Sequence, residues 1–390
     1  MPNGDEPISD ARPGGAPAQI WDGLLLIGDD LTGALDTAAQ FVGLFGQVSV
    51  HWRANASGGS LAFDSGAREL SGEAAEAAVA ARLAGRTLDA ATLCYAKLDS
   101  LLRGHPAREI AAWLRRGDFA HCLVVPAFPA QGRITLEGRQ FHFHGGRWTP
   151  IATDLLASLR ALGVDGALCR VGDPAPAGVS LWNATSDADL DAIVAAGRAM
   201  RGKVLWCGSG GLASALARSA GPAAKIDFAL ARPALGLFGS DQAVTAAQFE
   251  TCDACAFTLA DGGPASAARL SSSLDETGIA LARIALPAEI SREEAAKRIA
   301  REFGRLLSQL APPATLLVSG GETLRAICEA LGADHLELAG QVEPGIPVSI
   351  LRGSRFNGVR IVSKSGAFGD RDLIKRLLTR TAPLSNGEAA

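Results

Sequence analysis

Short apolar runs alternate with Ala-rich segments along most of the chain. The apolar runs end in glycine or polar residues and predict strands over 23–28, 48–52, 60–64, 92–97, 122–127, 204–208, 234–240, 315–321 and 359–365. The segments between them predict helices over 33–45, 69–84, 106–116, 185–200, 210–219, 291–310 and 322–332. This alternation indicates an α/β protein with mostly parallel sheets flanked by helices. In such sheets the carboxyl ends of the strands face the ligand crevice, so the informative residues should follow the strands.

The chain has 390 residues, a length that suggests two domains. Pro233 ends one segment just before a new apolar run, so we predict an N-terminal domain over 20–230 and a C-terminal domain over 231–390, with a linker at 221–234. The first 19 residues are rich in Gly, Pro, Ala and Asp, and they predict a disordered tail rather than a secretory signal.

Composition excludes several classes of function. The net charge of -4 gives no reason to expect a nucleic-acid partner. No apolar run reaches the ~20 residues that a membrane-spanning helix needs, so we expect no membrane partner. The seven cysteines are dispersed, which favours reduced thiols and a cytoplasmic protein. The sequence does not determine the oligomeric state, and a homodimer is left open.

Two candidate metal sites are weak. Cys252 and Cys255 form a CxxC pair, but no second pair lies nearby, so we interpret them as small hydrophobic residues. His142 and His144 would share one face of a strand, but no third ligand is suitably spaced, and an exposed hairpin is the preferred interpretation. We therefore expect no metal held by the protein alone.

The stretch GDDLTGA follows the first predicted strand and places Asp29 and Asp30 side by side. Asp30 or Thr32 could cap the following helix, because short polar side chains accept hydrogen bonds from its free N–H groups. Two adjacent carboxylates exceed what capping needs. Their mutual repulsion indicates a bound polyol, metal or substrate cation.

The stretch AKLDSLLRGH supplies Lys97, Asp99, Ser100 and Arg103 at the end of another strand, and Arg68 follows a third. One interpretation is that these residues merely form a cluster of ion pairs and bind no ligand. The functional interpretation is a site for an anionic, hydroxylated small molecule, in which arginine binds a carboxylate and aspartate accepts hydrogen bonds from hydroxyls. The stretch PAFPAQGR then predicts a rigid loop, a common location for functional residues.

The second half of the chain contains glycines where strands end. Gly320 and Gly321 precede a helix whose cap is predicted to be Glu322 or Thr323. Glycine lets the backbone approach a phosphate, and a helix N-terminus favours its negative charge. The stretch is neither a P-loop nor a dinucleotide GxGxxG motif.

Three more strand ends in this half have the same character. Lys364 precedes Gly366, Ser240 follows an apolar strand, and Gly345 belongs to a predicted Pro-Gly turn. A lysine near a glycine-rich loop can neutralise phosphate charge. Four small-residue strand ends in one domain favour a nucleotide site, although each alone is more typical of a turn.

Together these stretches resemble the four-carbon acid sugar kinases, which include threonate, erythronate and 3-oxo-tetronate kinases. The resemblance covers about 22–380 and rests, in sequence order, on DDLTGA, KLDSLLRG, PAFPAQGR, CGSGGLA, GSDQAVTAAQ, SGGETLRAI, PGIP and KSGAFG. It implies a sugar-acid domain, an ATP domain and a ligand cleft between them. The residues implied on the sugar side are Asp29, Asp30, Arg68, Lys97, Asp99, Ser100 and Arg103. Those implied on the nucleotide side are Ser240, Gly320, Gly321, Glu322, Thr323, Gly345, Lys364 and Gly366.

The implied activity is transfer of a phosphoryl group from ATP, with Mg²⁺, to a terminal hydroxyl of a four-carbon sugar acid. Asp29, Asp30 or Asp99 would orient or deprotonate the hydroxyl, and the sequence does not choose among them. Arg68 and Arg103 would hold the substrate carboxylate.

Two residues depart from the family pattern. Leu101 replaces the usual threonine of the KxDST motif, and Asn183 stands where Asp is more usual. Both bear on specificity, and the sequence does not identify the acid or its stereochemistry. A non-catalytic homologue that only binds sugar acids is one alternative. Another α/β enzyme using a dinucleotide is less favoured, because the sequence has no GxGxxG motif followed by an acidic residue about 20 positions further on.

Overall fold

The computed structural model describes residues 19–53, 56–221 and 228–380. The predicted N-terminal tail falls almost wholly outside these residues, as do residues 222–227 of the predicted linker.

The described residues form eighteen strands, which are β1 Gly23–Gly28, β2 Val48–His51, β3 Ser60–Asp64, β4 Thr92–Lys97, β5 His121–Val125, β6 Arg133–Leu136, β7 Arg139–His144, β8 Arg147–Pro150, β9 Gly166–Cys169, β10 Gly178–Trp182, β11 Val204–Gly208, β12 Ala234–Phe238, β13 Ala256–Leu259, β14 Ile279–Ile284, β15 Thr315–Ser319, β16 His335–Glu343, β17 Ile346–Arg352 and β18 Arg360–Lys364. The helices are α1 Leu31–Ala39, α2 Val42–Phe45, α3 Gly72–Leu83, α4 Pro106–Arg116, α5 Leu155–Ala161, α6 Asp187–Arg198, α7 Gly210–Ala220, α8 Ala243–Glu250, α9 Pro264–Thr277, α10 Arg292–Gln309, α11 Gly321–Ala330 and α12 Leu373–Thr379.

Fifteen strands make one continuous sheet in the order β13-β14-β12-β15-β18-β17-β16-β2-β3-β1-β4-β11-β5-β10-β9. All neighbours are parallel except at β18, β17, β16 and β2, which pair antiparallel. The predicted α/β class with a mostly parallel sheet is therefore confirmed. The single sheet was not expected, and it arises because β16 pairs with β2 and so covers an edge that would otherwise expose unpaired backbone groups.

The central strand β1 shows why the sheet is buried. Leu24 and Leu26 pack into the core on one face of the sheet, whereas Leu25 and Ile27 pack into the core on the other. A continuous aliphatic run is typical of a parallel strand covered by helices on both faces. The predicted helix over 33–45 instead divides into α1 and α2, because the chain leaves α1 at Gln40.

The hairpin of β16 and β17 was missed as a pair of strands, although the Pro-Gly turn that joins it was predicted. A separate antiparallel sheet of β6, β7 and β8 contains the predicted exposed hairpin, with His142 and His144 on β7. Within the described residues, no cluster of three metal-ligating side chains occurs. None of the helices in these ranges combines the length and apolar character that crossing a bilayer requires.

Candidate functional site

A cavity of about 1090 Å³ lies where the carboxyl ends of β1, β3 and β4 meet those of β12, β15 and β18. All fifteen residues that the sequence singled out line it. From the first half of the chain these are Asp29, Asp30, Arg68, Lys97, Asp99, Ser100 and Arg103. From the second half they are Ser240, Gly320, Gly321, Glu322, Thr323, Gly345, Lys364 and Gly366.

Arg68 is the centre of the acidic cluster. Its Nε and Nη2 donate to the two oxygens of Asp29 at 2.7 and 2.8 Å, and its Nη1 donates to Asp30 Oδ2 at 2.7 Å. A longer contact of 3.4 Å joins Nη2 to Asp99 Oδ1. Burial alone would lower the pKa of Arg68, but the charges of Asp30 and Asp29 outweigh it and hold that pKa above its ordinary value. One guanidinium therefore offsets the repulsion between the adjacent aspartates.

The three aspartates differ in exposure and in the environment that sets their charge. Asp29 is 1% exposed, and burial raises its pKa against the opposing effect of Arg68. Asp99 is 7% exposed, and hydrogen bonds from Arg103 with the charge of Arg68 hold its pKa well below its ordinary value despite burial. Asp30 is 23% exposed and caps α1 by accepting from the N–H of Gly33 at 2.9 Å. The predicted cap at Asp30 is thus confirmed, and this carboxylate is the most accessible of the three.

Arg103 and the loop after β4 complete the sugar-side cluster. Arg103 donates from Nε and Nη2 to the two oxygens of Asp99 at 2.9 and 2.7 Å. The backbone N–H groups of Leu101 and Arg103 also donate to Asp99 Oδ2, each at 3.1 Å. Asp99 therefore organises this loop rather than offering a free carboxylate.

Lys364 is the buried cation of the nucleotide side. Its Nζ donates to Thr245 Oγ1 at 3.0 Å, to Ser319 Oγ at 3.1 Å and to the Gly366 carbonyl at 3.3 Å. Within the described chain it forms no ion pair, and burial lowers its pKa to about 7. A buried ammonium held only by neutral groups favours binding of an anion.

The glycines of this side are positions where a side chain would not fit. Gly320 has a φ of +108°, a conformation that side chains rarely adopt. A Cβ at Gly366 would overlap Ser240 Oγ, and one at Gly321 would come within 2.9 Å of Thr32 Oγ1. We call Gly320, Gly321 and Gly366 the glycine cradle, because only glycine permits these close approaches of the backbone.

The N-terminus of α11 differs from the prediction. The cap was expected to be Glu322 or Thr323, but the N-cap is Gly320, and no side chain accepts from the first turn. That prediction is wrong, because α11 begins at Gly321, earlier than expected. The N–H groups of the first turn have no partner within the helix, so they remain available to an anion in the cavity.

The two clusters meet at Gly321. A Cβ on this glycine would lie 2.9 Å from Thr32 Oγ1 and 3.5 Å from Asp30 Oδ2. The N-terminus of α1 therefore touches the N-terminus of α11. The acidic cluster and the glycine cradle share one cavity, as the predicted cleft required.

Residues 24–158 match the model of a sugar-binding N-terminal domain, and residues 235–374 match that of a nucleotide-binding C-terminal domain. The chain is 30% identical to the D-threonate kinase of Bordetella bronchiseptica, over 90% of this chain and 95% of that protein. The chain belongs to the four-carbon acid sugar kinase family. It is also 26% identical to the 3-oxo-tetronate kinase of Pseudomonas savastanoi, over 73% of this chain and 77% of that one. A solved Haemophilus influenzae structure has the same fold, with 18% identity, a TM-score of 0.67 and coverage of 90% and 98% of the two chains.

The two departures from the kinase family pattern occupy different environments. Leu101 lines the cavity beside Ser100, so its side chain is placed to affect the acceptor. Asn183 does not line the cavity, and its Oδ1 accepts from the N–H of Gly138 at 3.0 Å. Of the two, only Leu101 is positioned to influence specificity directly.

Sequence reasoning missed cavity residues within this kinase fold. Asp36 on α1 is buried, its Oδ1 has no hydrogen-bond partner among the residues that the structure describes, and burial raises its pKa to about 6. Its signal was a lone acid within a small-residue helix. Asp64 pairs with Arg325 at 2.6 Å and so joins the two halves of the chain. Their 261-residue separation left no sequence signal for that pair.

Proposed function

We propose that this chain transfers the γ-phosphoryl group of ATP to a terminal hydroxyl of a four-carbon sugar acid. The observation that carries the proposal is the proximity of Asp30 to Gly321, where a Cβ would lie 3.5 Å from Asp30 Oδ2, so that the acidic cluster adjoins the N-terminus of α11. The match to the sugar-binding and nucleotide-binding domain models supports the same division. So does the similarity to relatives named D-threonate kinase and 3-oxo-tetronate kinase.

The nucleotide would lie on the side of Lys364. The first-turn N–H groups of α11 and the ammonium of Lys364, which line the cavity, would hold phosphate oxygens. Mg²⁺ would enter with ATP and neutralise part of the phosphate charge. Catalysis of this kind depends mainly on positioning and charge stabilisation.

Asp30 is the aspartate that we assign to the acceptor hydroxyl. All three aspartates accept hydrogen bonds at both oxygens, and Asp30 does so from the N–H of Gly33 and from Arg68 and Thr32, so exposure is what separates them. Asp30 is more exposed than either, and its Oδ2 faces the N-terminus of α11. A hydroxyl that donates to Asp30 would therefore point its oxygen towards the transferred phosphoryl group. Asp29 and Arg68 would fix the orientation of Asp30.

The test is ADP release with a panel of threonate, erythronate and 3-oxo-tetronate, run alongside thermal-shift measurements of binding. We expect at least one acid to support turnover and Asp30→Asn to lower kcat roughly 100- to 10,000-fold with little change in KM for ATP. Asp165→Asn is the control, because Asp165 is 94% exposed and lies outside the cavity. Binding of an acid without ADP release would favour the non-catalytic alternative. Full turnover in Asp30→Asn would refute the role of Asp30.

A further inference from the structure

The cavity needs a cation for the substrate carboxylate, and the two expected arginines are already occupied. Arg68 directs all three of its nitrogens at aspartates, and Arg103 directs two of its three at Asp99. If either turned to a substrate, a buried aspartate would lose its partner, which is costly. These guanidiniums are therefore better suited to organise the acids than to bind the carboxylate.

Other cationic side chains line the cavity without an aspartate or glutamate partner among the described residues. In the part of the chain that the structure describes, Lys97, Arg133, Arg283 and Lys364 line it and form no ion pair. Lys364 lies in the glycine cradle, and Arg283 lies over the ring of Phe249 in the second half of the chain. On the acceptor side this leaves Lys97 and Arg133. Lys97 is a buried single-point donor that already donates to the Leu98 carbonyl at 2.9 Å. Of these two described cations, Arg133 is the one that offers a guanidinium fork without an acid partner.

Arg133 is held firmly at the start of β6. Its backbone N–H and carbonyl both pair with Phe128, at 3.1 and 2.8 Å, which closes the tight turn of the PAFPAQGR stretch. Gly132, with φ of +67°, allows that turn. The Nη1 of Arg133 donates to the Gln131 carbonyl at 2.5 Å. Its Nε and Nη2 have no hydrogen-bond partner among the described residues, so two donors remain free.

The small sheet of β6, β7 and β8, which contains Arg133, is hydrogen-bonded to the loop that follows β4. Gln140 on β7 donates to the Ser100 carbonyl at 2.8 Å and accepts from Thr135 on β6 at 2.7 Å. Burial lowers the pKa of Arg133, with Asp99 opposing and Arg103 adding to that effect, so the guanidinium senses both members of the adjacent pair. An arginine that is partly desolvated and lacks an acid partner gains strongly from a bound carboxylate.

We propose that Arg133 binds the carboxylate of the sugar acid and thereby selects acids over neutral polyols. This inference rests on the proposed function for its substrate class. Arg133 lines the same cavity as Asp30 and Gly321. A sugar acid held by Arg133 at its carboxylate would leave the other end of its carbon chain for phosphoryl transfer.

The test compares wild type, Arg133→Met, Arg133→Lys and Arg147→Met. Arg147 is the matched control, because it lies exposed on β8 of the same small sheet and outside the cavity. Steady-state kinetics are measured with the best four-carbon acid of the panel and with threitol or erythritol, which lack the carboxylate. Circular dichroism and melting curves establish that each variant folds.

We expect Arg133→Met to raise KM for the acid roughly 10- to 100-fold, as loss of charge-assisted hydrogen bonds would do, with KM for ATP and activity on the polyol unchanged. Arg133→Lys should retain part of the preference for the acid, since it keeps the charge but not the fork. Arg147→Met should match wild type. An unchanged KM for the acid, or an equal loss on acid and polyol, would overturn the inference.

Failure of the proposed function gives a different pattern. If wild type bound a four-carbon acid in the thermal-shift assay without transferring phosphate, the kinase proposal would fail. Loss of that acid-induced shift in Arg133→Met would still support the inference. If wild type turned over the acid and Arg133→Met did so equally well, the inference would fail while the function stood. An absence of both binding and turnover in wild type would refute both.

Discussion

Lys364 should make ATP binding depend on pH in a way that its removal abolishes. Burial lowers the pKa of this lysine to about 7 because it disfavours the charge. Within the described chain, its Nζ donates only to the hydroxyls of Thr245 and Ser319 and to the carbonyl of Gly366. Phosphate binds the protonated form better. ATP binding above neutral pH must therefore be accompanied by proton uptake, and the affinity must fall as the free protein loses that proton.

The magnitude follows from the shifted pKa. With a pKa of about 7 in the free protein, about half of the molecules carry the proton at pH 7 and about one in a hundred carry it at pH 9. If ATP raises the pKa of Lys364 well above 9, affinity falls about 50-fold between those pH values. At pH 8 the binding of one ATP should take up about 0.9 proton.

Isothermal titration calorimetry in buffers of different ionisation enthalpy measures both the dissociation constant and the proton uptake. Lys364→Met should bind ATP weakly and without the extra pH dependence, while protonation of ATP itself affects both proteins alike. Lys203→Met is the control, because Lys203 is half-buried outside the cavity and donates to the Leu88 carbonyl. Parallel pH profiles for wild type and Lys364→Met would refute this reasoning.

Three further predictions concern the junction between the two halves and the buried acid on α1. Gly321→Ala should lower kcat/KM for ATP at least tenfold, because the added Cβ would come within 2.9 Å of Thr32 Oγ1. Gly59→Ala is the control, since a Cβ at Gly59 has open space and should leave the kinetics unchanged. Equal kinetics in the two variants would contradict the close approach at Gly321. Arg325→Met should lower the free energy of unfolding in urea by roughly 2–4 kcal/mol, since it leaves buried Asp64 without its cation, and a loss below about 0.5 kcal/mol would contradict this. Burial raises the pKa of Asp36 to about 6. An acid whose pKa is higher in the folded protein than in the unfolded chain binds its proton more tightly when folded. Asp36 therefore stabilises the fold fully below its unfolded-state pKa of about 4, and this stabilisation is lost as the pH rises through 6. Asp36→Asn should therefore gain up to about 3 kcal/mol relative to wild type between pH 4 and pH 7, and a constant difference would exclude this role.

Much of the site was readable from sequence because parallel strands deliver their following residues to one edge. Asp29 follows β1, Lys97 ends β4 and Lys364 ends β18, so an α/β assignment alone predicts that they face a common crevice. Residues that reach the cavity from within a helix carried no such signal. Asp36 belongs to this group, because its position depends on how α1 packs against the turn at Gly345.

The partners of the charged residues were not readable, since pairing depends on distance in space rather than along the chain. The sequence suggested that Arg68 would bind a substrate carboxylate, and the structure places its guanidinium between Asp29 and Asp30. In the same way, Gln140 fixes the small sheet to the Ser100 loop across 40 residues. The free donors of Arg133 are therefore evident only in the tertiary structure, where Arg68 and Arg103 are paired with aspartates.

The sequence by itself determined the strand-helix alternation, the residues at the strand ends and the chemical character of each half of the chain. It could do so because hydrophobic periodicity and local polar motifs act over a few residues. Only the tertiary structure decided that β16 joins β2 to make one sheet, and that Asp30 meets Gly321. Those contacts depend on packing between segments some 290 residues apart, where no local pattern specifies which backbone edges and helix ends will meet.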